Sequence, residues 1–335
     1  MNEITAIEKM RSLFAVSGVQ RFAPFTCDAE ILELGRELYG ISVDEFSPDE
    51  DCFSDADPAA LGKGLAVATL SDLLAAGCEP CFYLHALVEP VGKDGFGLEL
   101  SRGGATILQA AGCFFLGGDL GRGNDWRYTG VALGKCGASP SSSSGIFGVS
   151  DPSGTLGESG PISRLLPQKR QKLWLTGTLG DGNLRAVSKE AAPPFELRIA
   201  EARAMRGLAS ACIDTSGGLM DSLCMLRKVN PGFSFNVVPE RLPYDPAVRA
   251  FAGTHGLPLA AFAFGGAGEY ELLFATDEDV SVEWAMPIGH AVPDGKGDLF
   301  WGRHRLEKDL PDPRVFADKK QYIQHLLEYI NVCPA

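Results

Sequence analysis

Long apolar runs are the first feature that this sequence lacks. No run approaches the roughly 20 consecutive apolar residues that a bilayer-spanning helix needs, so no transmembrane segment is predicted. The N-terminal stretch Met1-Asn-Glu-Ile is acidic and mixed, which is not typical of a signal peptide. Nine cysteines, an odd number, then favour reduced thiols in a cytoplasmic protein.

An excess of basic residues is also missing. Lys and Arg number 30 against 43 Asp and Glu, which gives a formal net charge of −13. Nucleic acids and anionic membranes are not attracted to such a field, so neither is expected as a partner. A small nucleotide remains compatible with this charge, because bound divalent cations can reconcile acidic side chains with phosphates.

Histidine and cysteine show no metal-ligand spacing. The five histidines are scattered, and Cys78-Glu-Pro-Cys81 is a lone CxxC pair without a second pair of Cys or His ligands. A zinc site built from nitrogen and sulfur ligands usually needs four closely spaced donors. The sequence therefore predicts two small buried thiols at Cys78 and Cys81.

What the chain has instead is a recurring aspartate at the end of short apolar runs. Leu65–Leu70 reads as a strand that stops at Ser71-Asp72, after which a short Ala/Leu-rich helix closes at Gly77. Similar junctions occur at Phe114-Phe-Leu-Gly-Gly-Asp119 and Ala211-Cys-Ile-Asp214. One such Asp is typically a helix cap. Three of them predict carboxylates gathered around one polyanion and its metal ions.

The length of 335 residues predicts two domains rather than one core. Helices are predicted at 3–14, 28–39 (or a strand–helix mixture), 98–111, 196–209 and 319–330, and strands at 82–88, 128–134, 172–177, 233–238 and 271–275. Because these elements lack a regular βαβ cadence, we expect an α+β fold. The Ser/Gly/Pro-rich segment 137–160 predicts a mobile loop. The expected division is 1–136, a linker at 137–163, and 164–335.

A colinear series of motifs between about residues 25 and 290 resembles the thiamine-monophosphate kinases. These belong to the PurM-like superfamily, together with aminoimidazole ribonucleotide synthetase, selenophosphate synthetase and the hydrogenase-maturation dehydratase. The matching pieces are Ser42-Val-Asp44, Asp57-Pro58, Leu70-Ser-Asp-Leu-Leu-Ala-Ala-Gly77, Gly117-Gly-Asp119 with Arg122, Thr176-Gly-Thr-Leu-Gly-Asp181, Arg198, Ile213-Asp-Thr-Ser-Gly-Gly-Leu219 and Gly266-Ala-Gly-Glu-Tyr-Glu-Leu272.

The resemblance implies an ATP-dependent enzyme that uses Mg²⁺ and a small-molecule substrate. It also implies a homodimer formed through the N-terminal domain. The implied metal ligands are Asp28, Asp44, Asp72, Asp119 and Asp214, of which Asp72, Asp119 and Asp214 would be catalytic. Nucleotide contacts would come from Thr69, Gly117, Gly118, Arg122, Arg164, Gly177, Gly180, Asp181 and Ser216. Substrate contacts would come from Arg198, Glu269 and Tyr270.

The chain departs from the family pattern at several acidic positions. Only Asp28 remains of an acidic pair near the N-terminus, Gly217 replaces a second Asp, and Glu269 stands where Asp is expected. Fewer carboxylates weaken divalent binding, so Gly217→Asp is expected to strengthen it. Three functions stay open: a thiamine-phosphate-type kinase, an enzyme that uses ATP to activate an amide or similar oxygen, and a non-catalytic descendant that binds a nucleotide or protein.

Overall fold

Two β-sheets with helices packed on them make up the fold in a computed structural model. It describes residues 3–49, 51, 53–138, 160–306, 310–311 and 319–331. The loop predicted at 137–160 lies almost wholly outside the described residues. The mixed α+β class is confirmed, whereas the domain boundaries at 136 and 164 stay a prediction.

The first sheet has five strands in the order β1-β2-β5-β3-β4. Strands β3 and β4 pair in parallel, and the other neighbours pair antiparallel. Its half of the chain contains α1 (Glu3–Arg11), β1 (Glu30–Leu34), β2 (Glu37–Phe46), α2 (Pro58–Ala75), β3 (Glu79–Pro90), α3 (Phe96–Ala111), β4 (Phe114–Gly123) and β5 (Arg127–Ala138).

The second sheet has seven strands in the order β12-β11-β8-β10-β6-β9-β7. A 3-10 turn lies at Pro239–Arg241. The other elements are β6 (Gln171–Leu175), α4 (Asp181–Ser188), α5 (Ile199–Met205), β7 (Ala211–Asp214), α6 (Leu219–Val229), β8 (Ser234–Val237), α7 (Pro246–His255), α8 (Ala260–Phe264), β9 (Leu272–Asp277), β10 (Met286–Val292), β11 (Leu299–Trp301), β12 (His304–Arg305) and α9 (Lys319–Asn331).

Most predicted elements are present, with shifted ends. The expected strands at 82–88, 128–134, 172–177, 233–238 and 271–275 correspond to β3, β5, β6, β8 and β9, and the helix at 196–209 shortens to α5. The helix predicted at 28–39 is wrong. That segment forms the hairpin of β1 and β2, in which Leu34 pairs with Glu37. Gly35, with φ of 71°, makes the turn between them.

Helix α2 corrects the central sequence interpretation. Leu65–Leu70, predicted as a strand, lies inside this helix, which begins at Pro58 rather than at Ser71-Asp72. The Asp57 carboxylate caps it by accepting the Ala59 and Ala60 N–H groups, each at 3.1 Å. One side of α2 packs on the first sheet and α3, and its end packs on the second sheet. A helix buried all round shows no amphipathic period, which explains the error.

Strand β4 also differs from the sequence prediction. The run 114–116, predicted as the buried end of an apolar element, lies on the edge of the first sheet with Phe114 70% exposed. The strand also continues past Asp119 to Gly123. Of the three predicted junctions, only the one at Asp214 coincides with the end of a buried strand.

The prediction of a reduced thiol was wrong for Cys78. Cys78 and Cys136 form a disulfide across 58 residues, and they join the end of α2 to β5. Cys81 lies outside this bond, and its thiol donates to the Glu79 carbonyl at 3.4 Å. Sequence spacing does not reveal a pairing that the fold creates between distant residues. Among the described helices, none has the length and hydropathy to cross a membrane.

Candidate functional site

Three carboxylates from distant parts of the chain converge where the two sheets meet. Oxygens of Asp28, Asp72 and Asp214 lie within 4.8 Å of one another. Asp28 precedes β1, Asp72 lies in the last turn of α2, and Asp214 ends β7. Asp44 of β2 joins them electrostatically, because its charge interacts with those of Asp72 and Asp214. The structure thus brings together four of the five predicted metal ligands.

Burial and mutual repulsion make these carboxylates costly to ionise. Burial, together with the charge of Asp214, raises the pKa of Asp44 to about 7. Burial and the charges of Asp44 and Asp214 raise the pKa of Asp72 well above its usual value. The pKa of Asp214 is raised as well, mainly by burial. Like charges held this close call for a positive counter-charge.

Arg164 supplies part of that charge and ties the two halves of the chain together. Its guanidinium forms a salt bridge with the buried Asp28 carboxylate and donates to the Phe25 carbonyl at 3.2 Å. The other Asp28 oxygen accepts the Asp214 N–H at 3.2 Å. One arginine does not neutralise four ionised carboxylates, so their full ionisation requires further positive charge.

The carboxylate oxygens of the cluster are suitable ligands for a hard divalent cation. Asp214 Oδ1 accepts the Ser216 N–H at 3.2 Å. Its Oδ2 is buried without a well-aligned donor among the described residues, although the Ser71 hydroxyl favours its charged form. A buried carboxylate oxygen of this kind is costly unless something binds it. Clustered carboxylate oxygens are the ligands that Mg²⁺ accepts.

Asp119 does not reach this cluster within the chain. It lies on the exposed edge strand β4, in register with Ala86 of β3. Arg122 lies farther along the same strand. Gly117 has φ of 138°, a conformation that other residues rarely adopt. The roles predicted for these residues and for Gly118 stay predictions.

The other predicted nucleotide contacts are spread over several segments. Gly177 and Gly180 lie in the turn between β6 and α4, and Asp181 begins α4, where it pairs with Arg185 at 3.1 Å. Ser216 is exposed beside Asp214. Thr69 is fully buried. This placement does not support direct nucleotide contact by Thr69, because the side chain has no surface to offer.

The predicted substrate contacts already have partners within the protein. Arg198 binds both oxygens of Glu271, each at 2.6 Å. Glu269 is buried and accepts the Gly180 N–H at 2.8 Å, and burial raises its pKa to about 8. Tyr270 has a positive φ of 56°, and its ring meets Phe195 edge-on at 4.9 Å.

Asp221 is an acidic residue near the site that the sequence interpretation missed. A Cβ added at Gly217 would overlap its carboxylate, which therefore occupies the space of a side chain at 217. Its charge also raises the pKa of Arg164, against the stronger effect of burial. Asp221 lies in the first turn of α6. An acid one turn beyond a missing acid is the signal that could have found it.

Comparisons with known proteins agree with the motif series. Residues 27–136 match the family model "AIR synthase related protein, N-terminal domain". Thiamine-monophosphate kinase of Methanopyrus kandleri is 25% identical over 71% of this chain and 73% of its own length. The enzyme of Salmonella typhimurium is 27% identical over 72% of each chain.

Solved structures show the same fold. The structure of AaThiL in complex with AMPPCP and TMP matches 92% of this chain and 95% of its own, with a TM-score of 0.74 and 19% identity. Hydrogenase maturation protein HypE covers 92% and 100%, with a TM-score of 0.64 and 17% identity. In sequence and in fold, this chain is therefore similar to the thiamine-monophosphate kinases.

Proposed function

We propose that this protein is an ATP-dependent phosphotransferase that converts thiamine monophosphate and ATP to thiamine diphosphate and ADP. Two relatives that are 25% and 27% identical to this chain, over 71% and 72% of its length, carry the name of that activity. A structural neighbour was solved with an ATP analogue and TMP. Phosphoryl transfer needs positioning and charge neutralisation more than covalent chemistry by the protein.

The convergence of Asp28, Asp44, Asp72 and Asp214 is the observation that carries this proposal. These residues would hold Mg²⁺, which in such sites neutralises phosphate charge. Asp214 Oδ2 offers a buried oxygen for the cation. Arg164, paired with Asp28, adds positive charge at the same place. The acids and the arginine together create a site for a metal-bound polyphosphate.

A binding and turnover experiment tests the proposal. Calorimetry with ADP should show binding that depends on Mg²⁺, and thiamine diphosphate should form from thiamine monophosphate and ATP. Asp72→Asn should abolish both, since an amide keeps the shape but removes the charge. Asp279→Asn, in an exposed turn after β9, is the matched control. Failure of the native protein to bind ADP or ATP at millimolar concentration would exclude an ATP-dependent enzyme.

The same assay separates the other two functions. Release of ADP and inorganic phosphate without thiamine diphosphate would indicate activation of an amide or similar oxygen. Nucleotide binding without ADP release would indicate a non-catalytic descendant. The HypE likeness does not favour either one, because at 17% identity it concerns the fold alone.

We also propose a homodimer formed through the first sheet. Edge strand β4 exposes Phe114, Leu116 and Leu120, each by more than half. Val43 of β2 is 60% exposed. A group of large exposed apolar side chains on one sheet is typical of a protein–protein interface, and a second copy would cover the β4 edge. The domain division 1–136 and 164–335 belongs to this proposal.

A further inference from the structure

Two buried threonines bind the start of strand β9 from its two sides. Thr176 directly follows the last residue of β6, and Thr215 directly follows the last residue of β7. The order β6-β9-β7 places β9 between these two strands. The Thr176 hydroxyl accepts the Leu272 N–H at 2.8 Å, and the Thr215 hydroxyl accepts the Glu271 N–H at 2.9 Å. Both threonines are fully buried, so each contact is made in the protein interior.

The Thr215 hydroxyl takes the place of a backbone carbonyl in the sheet. Strand β7 ends at Asp214, which pairs with Leu272 of β9. One residue later, Thr215 still donates its N–H to the Glu271 carbonyl at 2.9 Å, but its hydroxyl, not its carbonyl, accepts the N–H of Glu271. The Thr215 carbonyl accepts the Gly218 N–H instead, at 2.9 Å. The side chain thus continues the pairing with β9 while the main chain turns toward α6.

Glu271 is a firmly held point of attachment for this turn. Its carboxylate binds the Arg198 guanidinium through both oxygens, each at 2.6 Å, and accepts the Thr176 hydroxyl at 2.5 Å. A Cβ at Gly177 would overlap both the Glu271 carboxylate and the Arg198 guanidinium, so only glycine leaves room for the pair. Because its side chain is held in this way, the bond from the Glu271 N–H fixes the position of Thr215.

The turn after β7 sets where the Asp214 carboxylate lies. Its Oδ1 accepts the Ser216 N–H at 3.2 Å, and the backbone N–H of Asp214 donates to Asp28 at 3.2 Å. The turn also packs against the segment before β9, because a Cβ at Gly268 would overlap the carbonyl oxygens of Thr215 and Ser216. A shift of the turn relative to β9 would therefore move the Asp214 carboxylate relative to that of Asp28.

We propose that Thr215 is a positioning residue for the cation site. Its hydroxyl fixes the turn after β7 to the start of β9. This contact holds the Asp214 carboxylate beside those of Asp28 and Asp72, and so raises the affinity of the cluster for a divalent cation. Thr215 acts through Asp214 and is not itself a ligand. The inference rests on the proposed function, because that function supplies the cation.

Calorimetric titration with MgCl₂, with and without ADP, tests the role in four variants. Thr215→Val keeps the shape but leaves the buried Glu271 N–H without an acceptor, and we expect roughly tenfold weaker Mg²⁺ binding. Thr215→Ala also lacks the hydroxyl and repeats the test if the valine variant does not fold. Thr215→Ser keeps the hydroxyl and should stay within about twofold of the wild type. Thr276→Val is the matched control on β9, because Thr276 is also fully buried and its hydroxyl accepts the Trp174 Nε1–H at 2.9 Å.

Chemical denaturation of the same variants separates positioning from a general loss of stability. Both valine variants leave a buried N–H without an acceptor, so both should lower the denaturation midpoint, but only Thr215→Val should lose Mg²⁺ affinity. Wild-type affinity in Thr215→Val would overturn the inference. Equal weakening in Thr276→Val or in Thr215→Ser would also overturn it, since stability or volume alone would then explain the effect.

The outcome for the proposed function is distinct. A wild-type protein that binds no Mg²⁺ even with ADP would remove the proposed function, and the positioning role with it. Mg²⁺ binding that depends on the Thr215 hydroxyl, without formation of thiamine diphosphate, would support the positioning role and exclude only the kinase activity.

Discussion

Asp44 shows how burial close to other acids changes the titration of a carboxyl group. Its pKa is raised to about 7 by burial and by Asp214, from an unfolded value near 4. Between those two values the folded protein holds a proton that the unfolded chain has released. The cation-free protein must therefore lose stability as pH rises through this window. A bound cation requires the charged form, so its affinity must rise over the same range.

Thermal unfolding in EDTA checks the first half of this statement. We expect the melting temperature of the wild type to fall further between about pH 5 and about pH 7 than that of Asp44→Asn, because the amide cannot titrate. Groups remote from the cluster contribute equally to both proteins and cancel, and the lowered pKa of Asp72 in Asp44→Asn acts in the same direction as the loss of Asp44. Identical pH dependence in the two proteins would show that Asp44 does not carry the shift.

Gly217 leads to a second prediction at this scale. The sequence alone indicates that Gly217→Asp strengthens cation binding, but a Cβ there would overlap the Asp221 carboxylate. We therefore expect the single variant to bind Mg²⁺ no better than the wild type, since two acids would compete for one space. Gly217→Asp combined with Asp221→Ser should bind more tightly. Calorimetry with MgCl₂ measures both, and stronger binding by the single variant would contradict the prediction.

The acids could be predicted individually, but their grouping could not. Asp214 follows a short buried run that reads as a strand, and it does end β7. Asp72 was found for a partly wrong reason, since it lies in the last turn of α2 and does not cap a helix. Asp221 was missed because its place depends on how α6 begins relative to Gly217. Motif spacing contains no information about that local geometry.

At the scale of elements, α2 and α3 approach each other through glycine. A Cβ at Gly103 would overlap the Ala59 carbonyl, and one at Gly62 would overlap the Leu100 carbonyl. The close contact fixes the position of α2, which carries both Thr69 and Asp72. The sequence shows these glycines, but a helix that is apolar on every side looks like a strand until its neighbours are known.

Gly103→Ala tests this contact. The added methyl group must push α2 away from α3, and we expect a loss of about 2 kcal/mol in the free energy of unfolding, with weaker Mg²⁺ binding. Gly104→Ala is the matched control, because its Cβ would lie 3.4 Å from the Gly62 carbonyl and 3.8 Å from Ala66. Chemical denaturation measures both. Equal stability of the two variants would show that the helices tolerate separation.

For the whole molecule, the assembly state is the main prediction. Leu120 is 63% exposed on edge strand β4, so Leu120→Lys places a charge within the proposed interface. We expect the wild type to sediment as a dimer at micromolar concentration and the variant as a monomer with an unchanged fold by circular dichroism. Leu208→Lys, at an exposed position in the second half of the chain, is the control. A monomeric wild type would contradict the proposed dimer.

The salt bridge between Arg164 and Asp28 also has a consequence for biosynthesis. Ribosomes make proteins from the N-terminus, so Asp28, Asp44 and Asp72 emerge long before Arg164 and Asp214. Until residue 214 has left the ribosome, the early acids lack both Arg164, the partner of Asp28, and the fourth carboxylate of the proposed cation site. The nascent chain therefore passes through most of its synthesis unable to capture a cation or nucleotide. Under the proposed function, ligand binding becomes available only after the seventh strand has been translated.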